Sequence, residues 1–375
     1  MTEFLKAGTQ DREEIVDFIN YVFSYSHRPH DFKTLLPKVY KDGADSGAAD
    51  HFVAKENGKI KAVVALRVVP VMTAGKELLL GQIGSVSVHP YSRGAGYMKE
   101  LLSRALSYAR DIGVDLLVLS GQRQRYGYFG FENAGVRLLY RVTKDNIRHC
   151  LKDTESGDVT FRSVDDVPED ELSAWQALYE KQPCFIKRSR AEWRDVMHNW
   201  HCDSQGIYRN GAFLGYCYNG MNEVVLKNEE DYPAVLKALL AYRQQDEADI
   251  PVFPFEKQRR KFLTDICEDY TIRFAKKIRI LHWGTVLEAY LNAKSLYAPN
   301  EDGSLALCID GEEMCLTVQD GKAKVQKGIN GAVPLTLSGN EAEKLFFGLD
   351  NLLFPQEQVK NWTPLPFLIR TADEF

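Results

Sequence analysis

Hydrophobic and polar residues follow one another along the chain in patterns that predict alternating strands and helices. Residues 83–88 alternate apolar with small polar side chains, which predicts a strand that ends at Pro90. Apolar residues then recur at helical spacing over 98–109, and the apolar run 116–119 predicts a second strand. A strand, a helix and a strand in this order predict a crossover between neighbouring strands of one sheet.

The loop between the first strand and the helix has the composition of an anion site. It contains Arg93, followed by three small residues at the point where the helix must begin. Unpaired backbone N–H groups at a helix N-terminus, the helix dipole and an arginine all favour a phosphate or pyrophosphate. The sequence has no Gly-x-Gly-x-x-Gly and no Gly-Lys-Ser/Thr here, so a Rossmann site and a P-loop both fit badly.

This loop resembles the acetyl-CoA motif of the GNAT superfamily of N-acetyltransferases, Arg/Gln-x-x-Gly-x-Gly/Ala after a Val-x-Val-x-Pro strand. Met98 stands where the motif has Gly or Ala, and a bulky residue there is similar to the multidomain enhanced intracellular survival (Eis) family. The resemblance implies that backbone groups of the strand pair with the pantetheine arm and that the loop holds the pyrophosphate. The implied contacts of acetyl-CoA are Val86, Ser87, Val88, Arg93, Gly94, Ala95, Gly96 and Ser120.

Composition places the chain among ordinary globular proteins. Its 375 residues are 45% hydrophobic and 26% charged, which is enough for two or three domains with their own cores. The net charge of -5 argues against a nucleic-acid partner. The N-terminus is not a signal peptide and no apolar run could span a bilayer, so we expect a cytoplasmic protein without a membrane partner. Seven scattered cysteines predict reduced thiols.

Two other kinds of site are not supported by the sequence. His27/His30 and His198/His201 have helical spacing, but neither pair has the further ligands that a zinc site needs, so we predict no metal. A Gly-x-Ser-x-Gly nucleophile elbow is absent.

Residues 1–150 are predicted to form the acetyl-CoA-binding domain. Residues 11–23 carry an apolar helical stripe, and Asn57-Gly58 between two apolar runs predicts a hairpin. The aromatic segment 23–32 is either a wall of a substrate cleft or a plain connection. Phe129 and Phe131 alternate as core strand residues would. The run 126–131 resembles the Tyr-Gly-x-Phe-Gly-aromatic run of Eis-type enzymes, which implies that Tyr126 is the general acid.

Residues 151–283 are predicted to repeat the first domain in a degenerate form. Asn210-Gly211 predicts a second hairpin, and 233–242 predicts another amphipathic helix. At the helix entry, however, Glu229, Glu230 and Asp231 would occupy the positive end of the helix dipole and repel a pyrophosphate. We therefore expect a GNAT-like domain without a cofactor, which the Eis resemblance also implies.

Residues 284–375 are predicted to form a smaller α+β domain. Three alternating runs over 305–325, joined at two Asp-Gly pairs, predict an antiparallel meander, and 333–337 adds a fourth strand. Ser338 and Glu341 form a capping box for a helix that ends near Phe347. The order of elements is similar to the sterol-carrier-protein-like domain that closes Eis-family chains, which implies a scaffold or a lipid pocket.

The end of the chain carries the last prediction. The segment 362–370 is too apolar for a loose tail and should be docked. In the Eis family the chain ends inside the active site of the first domain and an aromatic terminal residue offers its carboxylate to the substrate amine. Phe375 is the matching residue, and the resemblance implies that its carboxylate accepts the proton.

Taken together, the predicted fold class is α+β, with two tandem GNAT-like mixed-sheet domains followed by the smaller domain. The predicted function is acetyl transfer from acetyl-CoA to primary amines of polyamine-like small molecules, including aminoglycosides. The resemblance also implies a homo-oligomer, a hexamer. The alternative is a non-catalytic acyl-CoA or lipid-binding scaffold.

Overall fold

A computed structural model of the chain describes residues 1–26, 28–44 and 48–375. The strands are β1 (Thr2–Lys6), β2 (Asp50–Glu56), β3 (Lys59–Thr73), β4 (Lys76–Val88), β5 (Leu116–Leu119), β6 (Glu132–Val142), β7 (Val159–Ser163), β8 (Cys184–Ile186), β9 (Ser204–Arg209), β10 (Ala212–Tyr218), β11 (Glu223–Leu226), β12 (Ala248–Val252), β13 (Tyr270–Ile280), β14 (Gly303–Ile309), β15 (Glu312–Gln319), β16 (Lys322–Lys327) and β17 (Leu335–Leu337). The helices are α1 (Arg12–Ser26), α2 (Phe32–Leu35), α3 (Pro37–Tyr40), α4 (Tyr97–Asp111), α5 (Arg123–Tyr126), α6 (Lys144–Cys150), α7 (Glu169–Tyr179), α8 (Trp193–Met197), α9 (Tyr232–Tyr242), α10 (Lys257–Ile266), α11 (Trp283–Ser295) and α12 (Gly339–Phe347).

These strands form three sheets. The largest has the order β1-β2-β3-β4-β5-β13-β6-β12, with β8 paired to β3. The second is β11-β10-β9-β7 and the third is β16-β15-β14-β17. Parallel pairing of β4 with β5 makes the first sheet mixed, and parallel pairing of β14 with β17 does the same for the third. The predicted α+β class with mixed sheets is therefore confirmed.

The predicted crossover unit has the expected form. Helix α4 connects the parallel strands β4 and β5 and buries Leu101, Leu102 and Ala105 completely against the sheet. Gly113, with φ of +79°, follows the helix in the left-handed conformation that glycine favours. The hairpin at Asn57-Gly58 also forms, with positive φ at both residues as a type I′ turn requires.

The order of elements in residues 2–142 is repeated in residues 159–280. Apart from β8, which only the second half has, each half contains a strand, helices, three antiparallel strands, a helix, a strand, a helix and a last strand. The last strands are exchanged: β13 lies between β5 and β6, and β6 lies between β13 and β12. The two halves therefore share one continuous sheet, which also contains β8 and β12 from the predicted second domain. The division at residue 150 stays a prediction.

The segment 303–347 forms the meander and the capped helix that the sequence predicts. Strands β14, β15 and β16 are antiparallel neighbours. The fourth strand, β17, returns to lie parallel to β14, and Val333 lies outside it, 94% exposed. Ser338 and Glu341 make the reciprocal bonds of a capping box at the start of α12.

One local prediction was wrong. Phe129 and Phe131 do not lie in a strand, because residues 123–129 form two short helical turns and β6 begins only at Glu132. The left-handed Gly130, with φ of +76°, ends the second turn and delivers Phe131 into the core. Within residues 1–26, 28–44 and 48–375, no helix is long and apolar enough to cross a bilayer.

Candidate active site

A cleft opens where β4 and β5 separate. The two strands pair from Leu80 to Ile83 only; β5 ends at Leu119, whereas β4 continues to Val88. The bulge between β3 and β4 falls at this point, because Ala65 pairs with Gly84 but Val63 pairs with Ser87. A bulge bends its strand and ends regular pairing. Residues 86–88 therefore keep β3 on one edge, while their other edge has no strand partner among the described residues.

The loop that follows β4 presents the N-terminus of α4. Gly94 and Gly96 have φ of +87° and +80°, and a side chain added to either would meet nothing within 4 Å. The first N–H groups of a helix have no intrahelical partner, and α4 begins at Tyr97. The Arg93 guanidinium donates to the Ser26 hydroxyl at 2.9 Å on the same side. This geometry can hold a pyrophosphate.

Tyr126 lies on the short helix α5, directly after the loop that leaves β5. Its side chain is buried in the same hydrophobic cluster as Ile83 and Leu119, the last paired residues of the two diverging strands. Burial raises the pKa of the Tyr126 phenol, although the neighbouring Arg125 acts in the opposite direction. The phenol therefore keeps its proton at neutral pH and can act as a donor.

The end of the chain is docked and reaches the cleft. The segment from Thr363 to Arg370 is buried throughout, as its apolar composition predicts. The ring of Phe375 packs on the backbone of Gly84, where an added Cβ would lie 2.7 Å from the ring. The same ring lies 6.3 Å from that of Tyr40, measured between centroids. The last residue of the chain is thus in contact with the bulged part of β4.

Side chains from both halves of the chain, residues 2–142 and 159–280, donate hydrogen bonds to the backbone of the tail, residues 372–374. Lys38 Nζ donates to the carbonyls of Glu374 at 2.7 Å and Ala372 at 3.1 Å. Gln82 donates to the Asp373 carbonyl at 2.8 Å, and Asn199 donates to that of Ala372 at 2.7 Å. Burial lowers the pKa of Lys38 well below its usual value.

A buried ion pair fixes the side chain of Asp373. The Arg188 guanidinium donates to both carboxylate oxygens at 2.8 and 2.9 Å, and the Tyr179 hydroxyl donates at 2.8 Å. Burial alone would raise the pKa of Asp373, but Arg188 and this hydroxyl outweigh burial and lower it. Residues of the second half, 159–280, therefore position the tail against the first half.

Lys276 on β13 also enters the cleft. Its ammonium lies 3.0 Å from the Ser120 hydroxyl and 2.6 Å from the Glu374 carboxylate. The cleft is lined by Gln82, Ile83, Val118, Leu119, Ser120, Lys276, Ile369, Glu374 and Phe375. Sequence reasoning missed Lys276 and Lys38, because no local motif marks a residue that reaches the site from a distant strand or helix.

At the corresponding helix entry of the second half the carboxylates are paired with arginines, and a second half without a cofactor stays a prediction. Asp231 pairs with Arg209 at 2.5 Å, and Glu229 pairs with Arg259 at 2.7 Å. Of the two histidine pairs noted in the sequence, His27 lies outside the described residues, and the His198 ring is hydrogen-bonded to the Asp165 carboxylate. No cluster of three or more His, Cys, Asp or Glu side chains suited to a metal ion occurs in the part of the chain that the structure describes.

The chain was compared with known families and structures. Residues 3–134, about a third of the chain, match a family model described as an acetyltransferase (GNAT) domain. This match supports the predicted N-acetyltransferase class.

Solved structures share the fold of the whole chain. A GCN5-related N-acetyltransferase from Anabaena variabilis is 17% identical, with a TM-score of 0.70 and 100% of each chain covered. A second, from Kribbella flavida, is 13% identical, with a TM-score of 0.68 and coverage of 100% and 98%. Eis1 from Mycobacterium abscessus is 12% identical, with a TM-score of 0.62 and 100% of each chain covered. No curated protein is significantly similar in sequence.

Proposed function

We propose that the chain transfers the acetyl group of acetyl-CoA to a primary amine in the cleft between β4 and β5. The observation that carries this proposal is the contact of Phe375 with Gly84 at the bulge of β4. A chain terminus held there by four buried polar side chains is hard to explain as a surface tail. The same point of the cleft is where the pairing of β4 with β5 ends.

The fit of acetyl-CoA rests on unpaired backbone groups. An extended pantetheine arm would add to the free edge of β4 through Val86 and Val88, beside Ser87. The pyrophosphate would sit on the N–H groups at Gly94, Ala95 and Gly96, next to the Arg93 guanidinium. Ser120, at the end of β5, would lie on the opposite wall.

Tyr126 is proposed as the proton donor to the leaving thiolate. From the reference pKa values of about 10 for a phenol and about 8.5 for a thiol this transfer is modestly uphill, and the raised pKa of Tyr126 adds to the cost. The Phe375 carboxylate is proposed to hold the substrate ammonium and to accept a proton. Since its reference pKa is roughly 3.5, it would act mainly through its charge unless a relay assists it.

The acceptor is proposed to be a polyamine-like small molecule, aminoglycosides included. Because the Glu374 side chain is already paired with Lys276, the terminal carboxylate would supply the negative charge that attracts such cations. From the resemblance to the Eis family we also propose three domains, 1–150, 151–283 and 284–375, of which the last is sterol-carrier-protein-like. The same resemblance leads us to propose a homo-oligomer, a hexamer.

The test is a thiol-release assay with acetyl-CoA against a panel of amines. We expect release that depends on both substrates, with diamines and aminoglycosides as the best acceptors. Deleting Phe375 should abolish most of this turnover and leave acetyl-CoA binding intact. Absence of amine-dependent release across the panel would contradict the proposed function.

A further inference from the structure

One lysine from the second half of the chain enters the cleft without a role in the proposed acetyl transfer. Lys276 lies on β13, and its ammonium is 2.6 Å from the Glu374 carboxylate and 3.0 Å from the Ser120 hydroxyl. The Lys276 side chain is 13% exposed and that of Glu374 is 25% exposed, so the ion pair is largely withdrawn from water. Salt screens such a pair less than a surface pair, and its charges therefore act on a ligand that binds beside it.

The cleft lining contains three charged groups. They are the Lys276 ammonium, the Glu374 carboxylate and the terminal carboxylate of Phe375. Lys276 and Glu374 cancel each other, and no described side chain forms an ion pair with the carboxylate of Phe375. One positive and two negative charges leave the lining with a net charge of -1, which a single ammonium group would neutralise.

The other charged side chains near the tail do not alter this count. Asp373 is buried, and both of its carboxylate oxygens accept from Arg188. Lys38 is also buried, donates to two backbone carbonyls of the tail and does not line the cleft. Lys277, the next residue of β13, does not line the cleft either, because successive side chains of a strand point to opposite faces. Lys276 is therefore the one cation among the described residues that line the cleft.

We propose that Lys276 determines acceptor specificity, because it sets the charge of the cleft to match a single ammonium group. This inference rests on the proposed amine acetylation and adds to it the charge of the acceptor group that the cleft takes. Without the Lys276 cation, Glu374 would be unpaired and the cleft would carry two negative charges, which attract a second ammonium group. With Lys276 in place, a polyamine gains from the amino group that reacts, and its further cations must lie outside the cleft.

The test compares two acceptors of equal chain length, butylamine and 1,4-diaminobutane, which differ by one ammonium group. The measured quantity is the ratio of kcat/KM for the diamine to kcat/KM for the monoamine. A loss of acetyl-CoA binding, of the chemical step or of folded protein lowers both values alike, so it leaves the ratio unchanged. The ratio moves when the cleft treats the second charge differently.

Lys276→Met keeps most of the side-chain length and removes the charge. We expect the ratio to rise roughly tenfold at low ionic strength, the effect of one unit charge several ångströms away in a partly shielded site. Glu374→Gln should lower the ratio by a similar factor, because Lys276 then faces the substrate unpaired. The double variant again leaves a single negative charge, so its ratio should return to the wild-type value. About 0.3 M salt should shrink both shifts.

Lys277→Met is the matched control, because it removes the same charge from the next residue of the strand, outside the cleft lining. Its ratio should equal that of the wild type. If Lys276→Met does not fold, Glu374→Gln decides the same question through the opposite shift.

Three results would overturn the role of Lys276 and leave the proposed function standing. They are an unchanged ratio in Lys276→Met or Glu374→Gln, an equal rise in Lys277→Met, and a double variant whose ratio does not return to the wild-type value. Absence of thiol release by the wild type with every amine would instead refute the proposed function.

Discussion

At the scale of single residues, two glycines set how closely the tail approaches the sheet. An added Cβ at Gly84 would lie 2.7 Å from the Phe375 ring, and one at Gly135 would lie 2.5 Å from the Phe367 carbonyl. Neither could be read from the sequence, because a glycine inside a strand has several explanations. Tyr126 and Phe375 were named from a family resemblance, whereas Lys276 had no local signal.

Substituting Gly84 by alanine should therefore displace the terminal residue. We expect kcat for the amine to fall at least tenfold while acetyl-CoA affinity changes little, because the methyl group displaces Phe375 from its place on β4. Gly157→Ala is the control, since an added Cβ there meets nothing within 4 Å and its φ is not positive. Steady-state kinetics with the amine measure this change in kcat. An unchanged kcat in Gly84→Ala would show that the tail takes no part in the mechanism.

Tyr126→Phe gives a second prediction at this scale. We expect kcat to drop by about 10²-fold, with acetyl-CoA affinity unchanged, because the thiolate loses its donor. Because burial raises the pKa of Tyr126, the donor of the wild type should stay protonated beyond pH 10. Ionisation of Tyr126 should therefore cause no decrease in rate at any pH below 10. Tyr128→Phe, at a 90% exposed position in the same run, should be neutral. Equal kcat in both variants would contradict the assignment.

At the scale of elements, the patterns with strong periodicity were predictable and the aromatic turn was not. The unit β4, α4 and β5 follows from alternation, helical spacing and a glycine stop, each of which is local. Over 127–131, aromatic residues at alternate positions indicated a strand, but the glycines at 127 and 130 allow a tight turn instead. The docked tail was predictable from its apolar composition, but its path was not.

The tail is held by its buried ion pair, so Asp373→Ala should destabilise the fold. Removing Asp373 leaves the buried Arg188 with only the longer contact to Glu223 at 3.5 Å, which costs about 3 kcal/mol of unfolding free energy. Glu247→Ala breaks an exposed pair with Arg141 and should cost at most about 1 kcal/mol. Urea unfolding compares the two, and similar losses would contradict the buried pair.

The same carboxylate gives a pH dependence with a definite sign. The native pKa of Asp373 is lowered, so its contribution to stability is complete above the unfolded value of about 4 and is lost as the pH falls below it. The difference in unfolding free energy between the wild type and Asp373→Ala should accordingly shrink on acidification. A difference that is constant between pH 7 and pH 3 would contradict this linkage.

At the scale of the whole molecule, the exchanged strands join the two halves. Periodicity locates β6 and β13 but cannot identify partners more than 100 residues apart, so the sequence predicted separate domains. Residues 1–150 alone would lack β12 and β13, leaving β5 and β6 without a shared neighbour. We expect this fragment to aggregate and to unfold without cooperativity, and coexpression with residues 151–375 to restore a soluble complex. A fragment that unfolds cooperatively by itself would contradict the interdependence.

The account depends most on the meeting of coenzyme A and the chain terminus in one cleft. A crystal structure of the protein with coenzyme A tests this directly. We predict the pyrophosphate on the loop 93–96, the pantetheine arm along Val86 and Val88, and the sulfur beside Tyr126 and Phe375. Coenzyme A bound elsewhere, or Phe375 remote from the sulfur, would contradict the central claim.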